Sequence, residues 1–203
     1  VRRGGDFQVW SCARDGQSRQ VFQKELLSTL AEHVGELYPN ATRELEILDM
    51  CLLPNFENQD AFLVLSSFPN GPNETFYLLF TIRKEEDQLL IVSAYKLNTY
   101  TTPYSDKPKL YVPAPGTTGF IVFDNSVVLS ELVSKLDHTS SLKKKWEDII
   151  TFRSNIRFIG SGAEDQTTNN GVISRLASLY LIAGQTGVLR VDHLNTLEGE
   201  IAE

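Results

Sequence analysis

One stretch of the chain reads Phe62-Leu63-Val64-Leu65, then Phe76-Tyr77-Leu78-Leu79-Phe80, then Leu89-Leu90-Ile91-Val92, and turn residues close each apolar run. Two similar runs follow, Phe120-Ile121-Val122-Phe123 and Leu179-Tyr180-Leu181-Ile182. A strand with one solvent-exposed face alternates apolar and polar residues, so continuous apolar runs predict strands that are buried on both faces. The gaps between the runs are mostly too short for the crossover helices that parallel strands need. We therefore expect antiparallel sheets covered by other sheets, as in sandwiches and β-propellers.

Strand-like segments recur in groups, and four antiparallel strands make one propeller blade. The first group comprises 45–54, 61–68, 75–84 and 88–95, and the second comprises 110–112, 119–123, 127–133 and 149–153. A third group comprises 156–159, 178–183 and 188–191. The Gly-His and Trp-Asp dipeptides of WD40 repeats are missing, so the pattern predicts an all-β, divergent (non-WD40) propeller of about three blades.

The segment before the first group predicts a strand over 7–12, a turn at Ala13-Arg14-Asp15-Gly16, and one amphipathic helix over 19–37. We expect this helix to be an insertion that packs an apolar stripe onto the propeller. The members of that stripe are Phe22, Leu26, Leu30 and Val34. The polar stretches 134–145 and 161–174 are expected to be surface loops, the latter a candidate disordered insertion.

Charge and composition disfavour two kinds of partner. A formal net charge of −7, from 19 basic and 26 acidic residues, opposes binding to phosphate backbones or to anionic lipid. We therefore expect no direct nucleic acid partner and no membrane contact. No apolar run reaches the roughly 18 residues of a spanning helix, and no signal-peptide pattern opens the chain. The first residue is Val1, so we expect a piece of a longer protein.

Residues with catalytic or ligand chemistry form no recognisable constellation. His33, His138 and His193 have no His or Cys neighbour at metal-ligand spacing, and we expect His33 to be solvated. Gly160-Ser161-Gly162 lacks the context of a hydrolase nucleophile or a phosphate loop, so it is predicted to be a turn. Glu85-Glu86-Asp87 is predicted to be a charged hairpin tip. We therefore predict no catalytic residues, no cofactor-binding residues, no metal site and no enzymatic activity.

Two further features concern partners and compartment. The basic run Lys143, Lys144 and Lys145 is interpreted either as a solvated loop face or as a docking patch for an acidic partner. We carry these three lysines forward as candidate protein contacts. Cys12 and Cys51 are expected to be buried free thiols in a reducing compartment.

Four stretches, taken together, resemble a known family. They are LEILDM at 45–50, AYKLNTY at 94–100, PAPGTTGFIVFDNSVVL at 113–129 and IRFIGSGAED at 156–165. They resemble the N-terminal domain of the Y-complex scaffold nucleoporin of about 133 kDa, in its fungal form, and none of them is a catalytic motif. The resemblance implies that residues 1–203 are part of a single N-terminal, seven-bladed β-propeller, with the helical stack that follows it in the family absent from this chain.

The resemblance also implies a function and a location. It implies a noncatalytic scaffold subunit of the outer ring of the nuclear pore complex, at the nuclear envelope of the nucleus, with other nucleoporins as partners. Such a subunit supports transport of protein and messenger RNA. Two alternatives stay open at this point: a propeller enzyme with a site in its central channel, and an extracellular ligand-binding β domain, which glycan on Asn40 or Asn73 would favour.

Overall fold

The structure, a computed structural model, describes residues 5–38, 44–54, 61–132, 146–153, 155–184 and 186–193. In these ranges the chain forms one α-helix, α1 (Leu26–Leu37), together with strands and their connections. The strands are β1 (Asp6–Cys12), β2 (Ser18–Glu25), β3 (Glu46–Leu52), β4 (Ala61–Pro69), β5 (Thr75–Glu85), β6 (Gln88–Lys96), β7 (Lys109–Tyr111), β8 (Thr118–Val122), β9 (Ser126–Glu131), β10 (Glu147–Thr151), β11 (Phe158–Glu164), β12 (Thr167–Asn169), β13 (Val172–Arg175), β14 (Ser178–Ala183) and β15 (Gly187–Asp192).

Three consecutive sheets, which we call blade 1, blade 2 and blade 3, contain most of these strands. Blade 1 has the strand order β3-β4-β5-β6 and blade 2 has the order β10-β9-β8-β7. The described strands of blade 3 have the order β11-β14-β15, and a separate hairpin, β12–β13, is inserted between its first two strands. All neighbours pair antiparallel. The predicted all-β fold with about three blades is confirmed.

The core lies between the sheets. Phe120 and Ile121 are adjacent on β8, yet Ile121 packs with residues of blade 1 such as Leu65, whereas Phe120 packs with residues of blade 3 such as Leu181. All four side chains are buried. Because burying a large apolar side chain stabilises a fold by about 1.5–3 kcal/mol, burial on both faces of blade 2 holds the three sheets as a stack.

A further layer covers the face of blade 1 that points away from blade 2. It consists of β1, β2 and α1. Leu26, Leu30 and Val34 of α1 are buried in a cluster that also contains Val64 and Phe80 of blade 1. The prediction that the apolar stripe of the helix packs onto the propeller is confirmed.

The predicted start of that helix is wrong. Residues 18–25 form β2, which pairs antiparallel with β1, and α1 begins only at Leu26. Gly16, at φ +86°, closes the predicted turn and sends the chain back along β1. A helix at this point would leave the backbone groups of β1 without partners. In the strand, Phe22 still reaches the core and packs edge-on against Phe7, with ring centroids 6.0 Å apart.

The prediction of a loop over 161–174 is also wrong. The chain from Gly160 to Gly162 lies within β11, and it is not a turn. Farther on, β12 and β13 form a hairpin closed by Asn170 and Gly171, whose φ angles are +52° and +80°. Every residue of these two strands is exposed. Backbone pairing and a turn-forming Asn-Gly pair, not apolar burial, therefore make this hairpin.

Candidate protein-interaction surfaces

The basic run predicted as a contact surface, Lys143, Lys144 and Lys145, lies outside the described residues. It stays a prediction. The description resumes at Trp146, whose backbone N–H donates to Glu131 of β9 at 3.2 Å and whose ring is partly exposed.

The residues that could have carried chemistry are engaged in structural contacts. Hydrogen bonds from Tyr180, at 2.7 Å, and Arg175, at 2.8 Å, lower the pKa of Glu164. Asp165 accepts the backbone N–H of Ala114 at 2.7 Å. In the described ranges, no group of three His, Cys, Asp or Glu side chains could hold a metal ion. Glu85 ends β5 at the predicted hairpin tip and pairs there with an arginine of its own strand.

The histidines and cysteines differ in part from expectation. His33 is half-buried, not solvated, and its ring lies edge-on to Phe80 at 6.3 Å. His193 stacks on Trp146 at 4.4 Å, and His138 lies outside the described residues. Both described thiols are free, but Cys12 is exposed because its position on β1 lies beyond the part of the hairpin that packs on blade 1. Burial raises the pKa of the Cys51 thiol to about 12.

A glutamate joins blade 1 to blade 2. The carboxylate of Glu147, on β10, accepts the Tyr95 hydroxyl at 2.6 Å, the Asn98 backbone N–H at 3.0 Å and the Thr99 backbone N–H at 2.6 Å. The Thr99 hydroxyl also donates to it. Burial and the bond to Glu147 raise the pKa of Tyr95 to about 12. One side chain of blade 2 thus holds the segment in which blade 1 ends.

Other carboxylates act in the same way elsewhere at this junction. Asp49, on β3, accepts the backbone N–H of Leu110 on β7 at 2.9 Å. Asp124, in the turn after β8, accepts the backbone N–H groups of Ser105 at 2.8 Å and Asp106 at 3.0 Å. These acidic residues supply protein acceptors to backbone donors where two sheets meet.

The pKa of one further carboxylate, that of Glu46, is lowered by its contacts. Glu46 accepts from Lys107 and from the Tyr104 hydroxyl, the latter at 2.7 Å. These two hydrogen bonds lower the pKa of Glu46. Burial and the hydrogen bond to Glu46 raise the pKa of Tyr104 to about 12.

Uncharged contacts also join blade 2 to blade 3. The Tyr111 hydroxyl lies 2.8 Å from the Ser161 hydroxyl, and the Thr118 hydroxyl lies 2.9 Å from Nδ1 of His193. The stack of His193 on Trp146 closes the same junction. Sequence reasoning missed these joining contacts because each involves an isolated side chain with no spacing signal of its own.

A groove of about 320 Å³ lies beside this junction. Two cations on its wall, Lys107 and Arg157, already pair with carboxylates. Ser161, also on the wall, pairs with a tyrosine hydroxyl instead of the general base that a nucleophile requires. The groove therefore gives no support to the enzyme alternative.

The outer face of blade 3, meaning the face that points away from blade 2, has a graded polarity. Side chains directly opposite on paired strands lie on one face, so the register divides this face into three rows across β11, β14 and β15. The rows are Gly160, Ile182 and Val188; then Gly162, Tyr180 and Arg190; then Glu164, Ser178 and Asp192. The face is thus apolar at one end and charged at the other.

The apolar end of this face is open to solvent. Val188 is 64% exposed and Ile182 is 46% exposed. In the part of the chain that the structure describes, no helix is both long and apolar enough to cross a bilayer.

Comparison with known proteins gives one consistent result. The family model described as Nup133 N terminal like matches residues 1–190. Nucleoporin NUP133 of Saccharomyces cerevisiae is 32% identical over 201 residues, which cover 92% of this chain and 16% of that protein. Nucleoporin NUP133 of Chaetomium thermophilum is 25% identical over 198 residues, which cover 79% of this chain and 14% of that protein.

A solved structure extends the comparison to the fold. The β-propeller domain of Nup133 from Vanderwaltozyma polyspora matches with a TM-score of 0.79 and 32% identity. The match covers 94% of this chain and 50% of that chain. The present chain therefore spans about half of the matched propeller chain and a small part of its curated relatives.

Proposed function

Because this chain belongs to the Nup133 N-terminal-like family of nucleoporins, we propose that it serves as a noncatalytic scaffold element in the outer ring of the nuclear pore complex. The observation that carries the proposal is the match to NUP133 over 92% of this chain, on a fold of stacked blades. The polar side chains between the blades, such as Glu147, form hydrogen bonds that connect one sheet to the next. Such contacts are consistent with a rigid scaffold.

Residues 1–203 form part of a single N-terminal β-propeller of seven blades, followed in the parent protein by a helical stack. The matched propeller chain is about twice as long as this chain, which supports the first part of this proposal. The layer of β1, β2 and α1 is an element added to the face of blade 1.

The partners are other nucleoporins of the outer ring, and the location is the nuclear pore complex at the nuclear envelope. Through these contacts the protein supports transport of protein and messenger RNA. A net charge of −7 supports protein partners over nucleic acid or anionic membrane. Lys143, Lys144 and Lys145 then contact an acidic surface of one of those proteins.

Affinity purification of the full-length protein, followed by mass spectrometry, tests this function. The expected result is recovery of outer-ring nucleoporins, and recovery of a soluble metabolic complex would overturn the proposal. Changing Lys143, Lys144 and Lys145 together to Glu is expected to weaken one of these contacts. A control that reverses two charges changes Arg14 and Arg19, which are exposed on the β1–β2 hairpin, to Glu. Equal recovery with both charge-reversed proteins would remove the lysine run from the interface.

A further inference from the structure

We propose that Asn170 is a modification site, at which the side-chain amide is lost spontaneously to give aspartate and isoaspartate. The chain contains two Asn-Gly pairs, Asn70-Gly71 and Asn170-Gly171. Both asparagines are exposed, and both glycines have open space where a Cβ would stand. The two pairs are therefore equally accessible to solvent, and the structure around each asparagine decides which one reacts.

The reaction needs only the Asn-Gly pair and water. The backbone nitrogen of Gly171, after losing its proton to solvent, attacks Cγ of Asn170. The new C–N bond closes a cyclic imide, and the side-chain nitrogen leaves as ammonia. Water then opens the imide: breaking the bond to Cγ gives aspartate, and breaking the bond to the main-chain carbonyl carbon gives isoaspartate. Glycine favours the attack because it has no Cβ to obstruct its nitrogen.

The hairpin around Asn170 opens easily enough to reach this geometry. In the folded turn Asn170 has φ +52°, and this left-handed conformation holds the next backbone nitrogen away from the side chain. β12 and β13 pair over three positions and bury no residue. A two-stranded hairpin without a buried face is only marginally stable in water. Local opening therefore gives the Gly171 nitrogen access to Cγ of Asn170.

The side-chain amides of the two asparagines differ in their contacts. The Asn70 amide donates to the carboxylate of Glu74, and the Asn70 backbone N–H donates to the Glu74 carbonyl oxygen at 2.8 Å. Among the residues that the structure describes, the Asn170 amide has no hydrogen-bond partner. To react, Asn70 must break a hydrogen bond to a charged group, which is stronger than a neutral one, whereas the Asn170 side chain breaks none.

The loop of Asn70 is also held more firmly at its ends. It joins β4 to β5, which pair over nine positions starting at Pro69 and Thr75. Most residues of these two strands are buried, so the loop does not gain freedom by opening of the hairpin. We therefore expect Asn170 to lose its amide about tenfold faster than Asn70 in the folded protein.

The modification changes the tip of the β12–β13 hairpin. Either product adds a negative charge at an exposed position. Isoaspartate also lengthens the backbone within the two-residue turn that pairs Asn169 with Val172, and such turns require defined backbone angles. The reaction therefore alters both the charge and the shape of this surface.

Peptide mapping of the full-length protein tests the inference. The protein is incubated in warm, mildly alkaline buffer, which promotes loss of the backbone proton, and is then digested at acidic pH. Mass spectrometry with electron-transfer fragmentation measures aspartate and isoaspartate at both positions over time. In the folded protein, conversion of Asn170 should exceed that of Asn70 about tenfold. In urea-unfolded protein the two rates should become similar, because both sites are then Asn-Gly pairs in an open chain.

Two variants test the cause of the difference. Glu74→Ala removes the acceptor of the Asn70 amide and should raise the conversion of Asn70 toward that of Asn170. The matched control, Glu86→Ala, removes an exposed carboxylate from another turn of blade 1 and should change neither rate. Circular dichroism shows that each variant is folded.

The readouts separate the ways in which the inference can fail. Equal conversion of Asn70 and Asn170 in the folded protein would overturn it. So would an Asn170 that converts in urea but not in the folded protein, because the hairpin would then not open. An unchanged rate at Asn70 in folded Glu74→Ala protein would overturn the role given to the Glu74 carboxylate and, with it, the selection of Asn170. None of these results bears on the scaffold function, which recovery of nucleoporins tests separately.

Discussion

Replacing Glu147 with alanine is expected to loosen the joint between blade 1 and blade 2. Its carboxylate accepts the Tyr95 hydroxyl at 2.6 Å and the backbone N–H groups of Asn98 and Thr99 at 3.0 and 2.6 Å. A hydrogen bond to a charged group contributes about 1.5–3 kcal/mol, but water can replace the carboxylate at exposed Asn98 and Thr99. We therefore expect Glu147→Ala to lower the free energy of unfolding by about 2 kcal/mol, mostly through the half-buried Tyr95 hydroxyl.

Urea and thermal unfolding, followed by circular dichroism, measure this change. For a chain of this size, 2 kcal/mol corresponds to a fall in Tm of about 4–8 °C. Glu147→Gln keeps one acceptor oxygen and should cost about half as much. The control is Asp148→Ala, which should stay within about 0.5 kcal/mol of wild type, because the Asp148 carboxylate accepts the backbone N–H of the next residue, at 2.8 Å, and is exposed on β10. If Glu147→Ala were as stable as Asp148→Ala, the role of Glu147 as a joint would be refuted.

Three further changes test other parts of the structure. Gly116 has φ +87° and a Cβ there would lie 2.8 Å from the Pro54 carbonyl oxygen, so Gly116→Ala should cost about 2 kcal/mol or more in urea unfolding; a neutral result would contradict this close approach. Leu30 is fully buried in the layer on blade 1, so Leu30→Ala should cost about 2–5 kcal/mol and Leu30→Met less than about 1.5 kcal/mol; equal losses would argue against tight packing of α1. The hydrogen bond from Lys107 lowers the pKa of Glu46 in the folded state, so its contribution is present above the unfolded value of about 4.3 and is lost as the pH falls through the folded value. A Tm–pH series should therefore fall less steeply below about pH 4.3 for Glu46→Gln than for wild type; identical slopes would show that this bond does not couple to folding.

Apolar runs predicted the blades because a strand that is buried on both faces needs apolar residues at consecutive positions. β4, β5, β8 and β9 lie within about two residues of their predicted bounds. The predicted start of the helix was wrong because residues 19–25 place only Phe22 in the core. A single buried residue is compatible with a strand and with a helix. Pairing with β1 decided between them, and pairing partners are not visible in a local pattern.

The surface features were harder to predict for a related reason. Glu147 acts through the backbone of a segment 48 and 49 residues away, and nothing near it in sequence marks that contact. The β12–β13 hairpin has no buried residue at all, so hydrophobic periodicity could not detect it.

The sequential pairing of the strands also bears on how the protein is made. Blade 1 is a run of consecutive strands, and all its pairing partners have been synthesised before the first strand of blade 2. Synthesis adds about 5–20 residues per second. Each later sheet can therefore pack its apolar residues against a sheet that has already folded. Growth from the ribosome can therefore proceed by layers, in the order in which the messenger RNA is read.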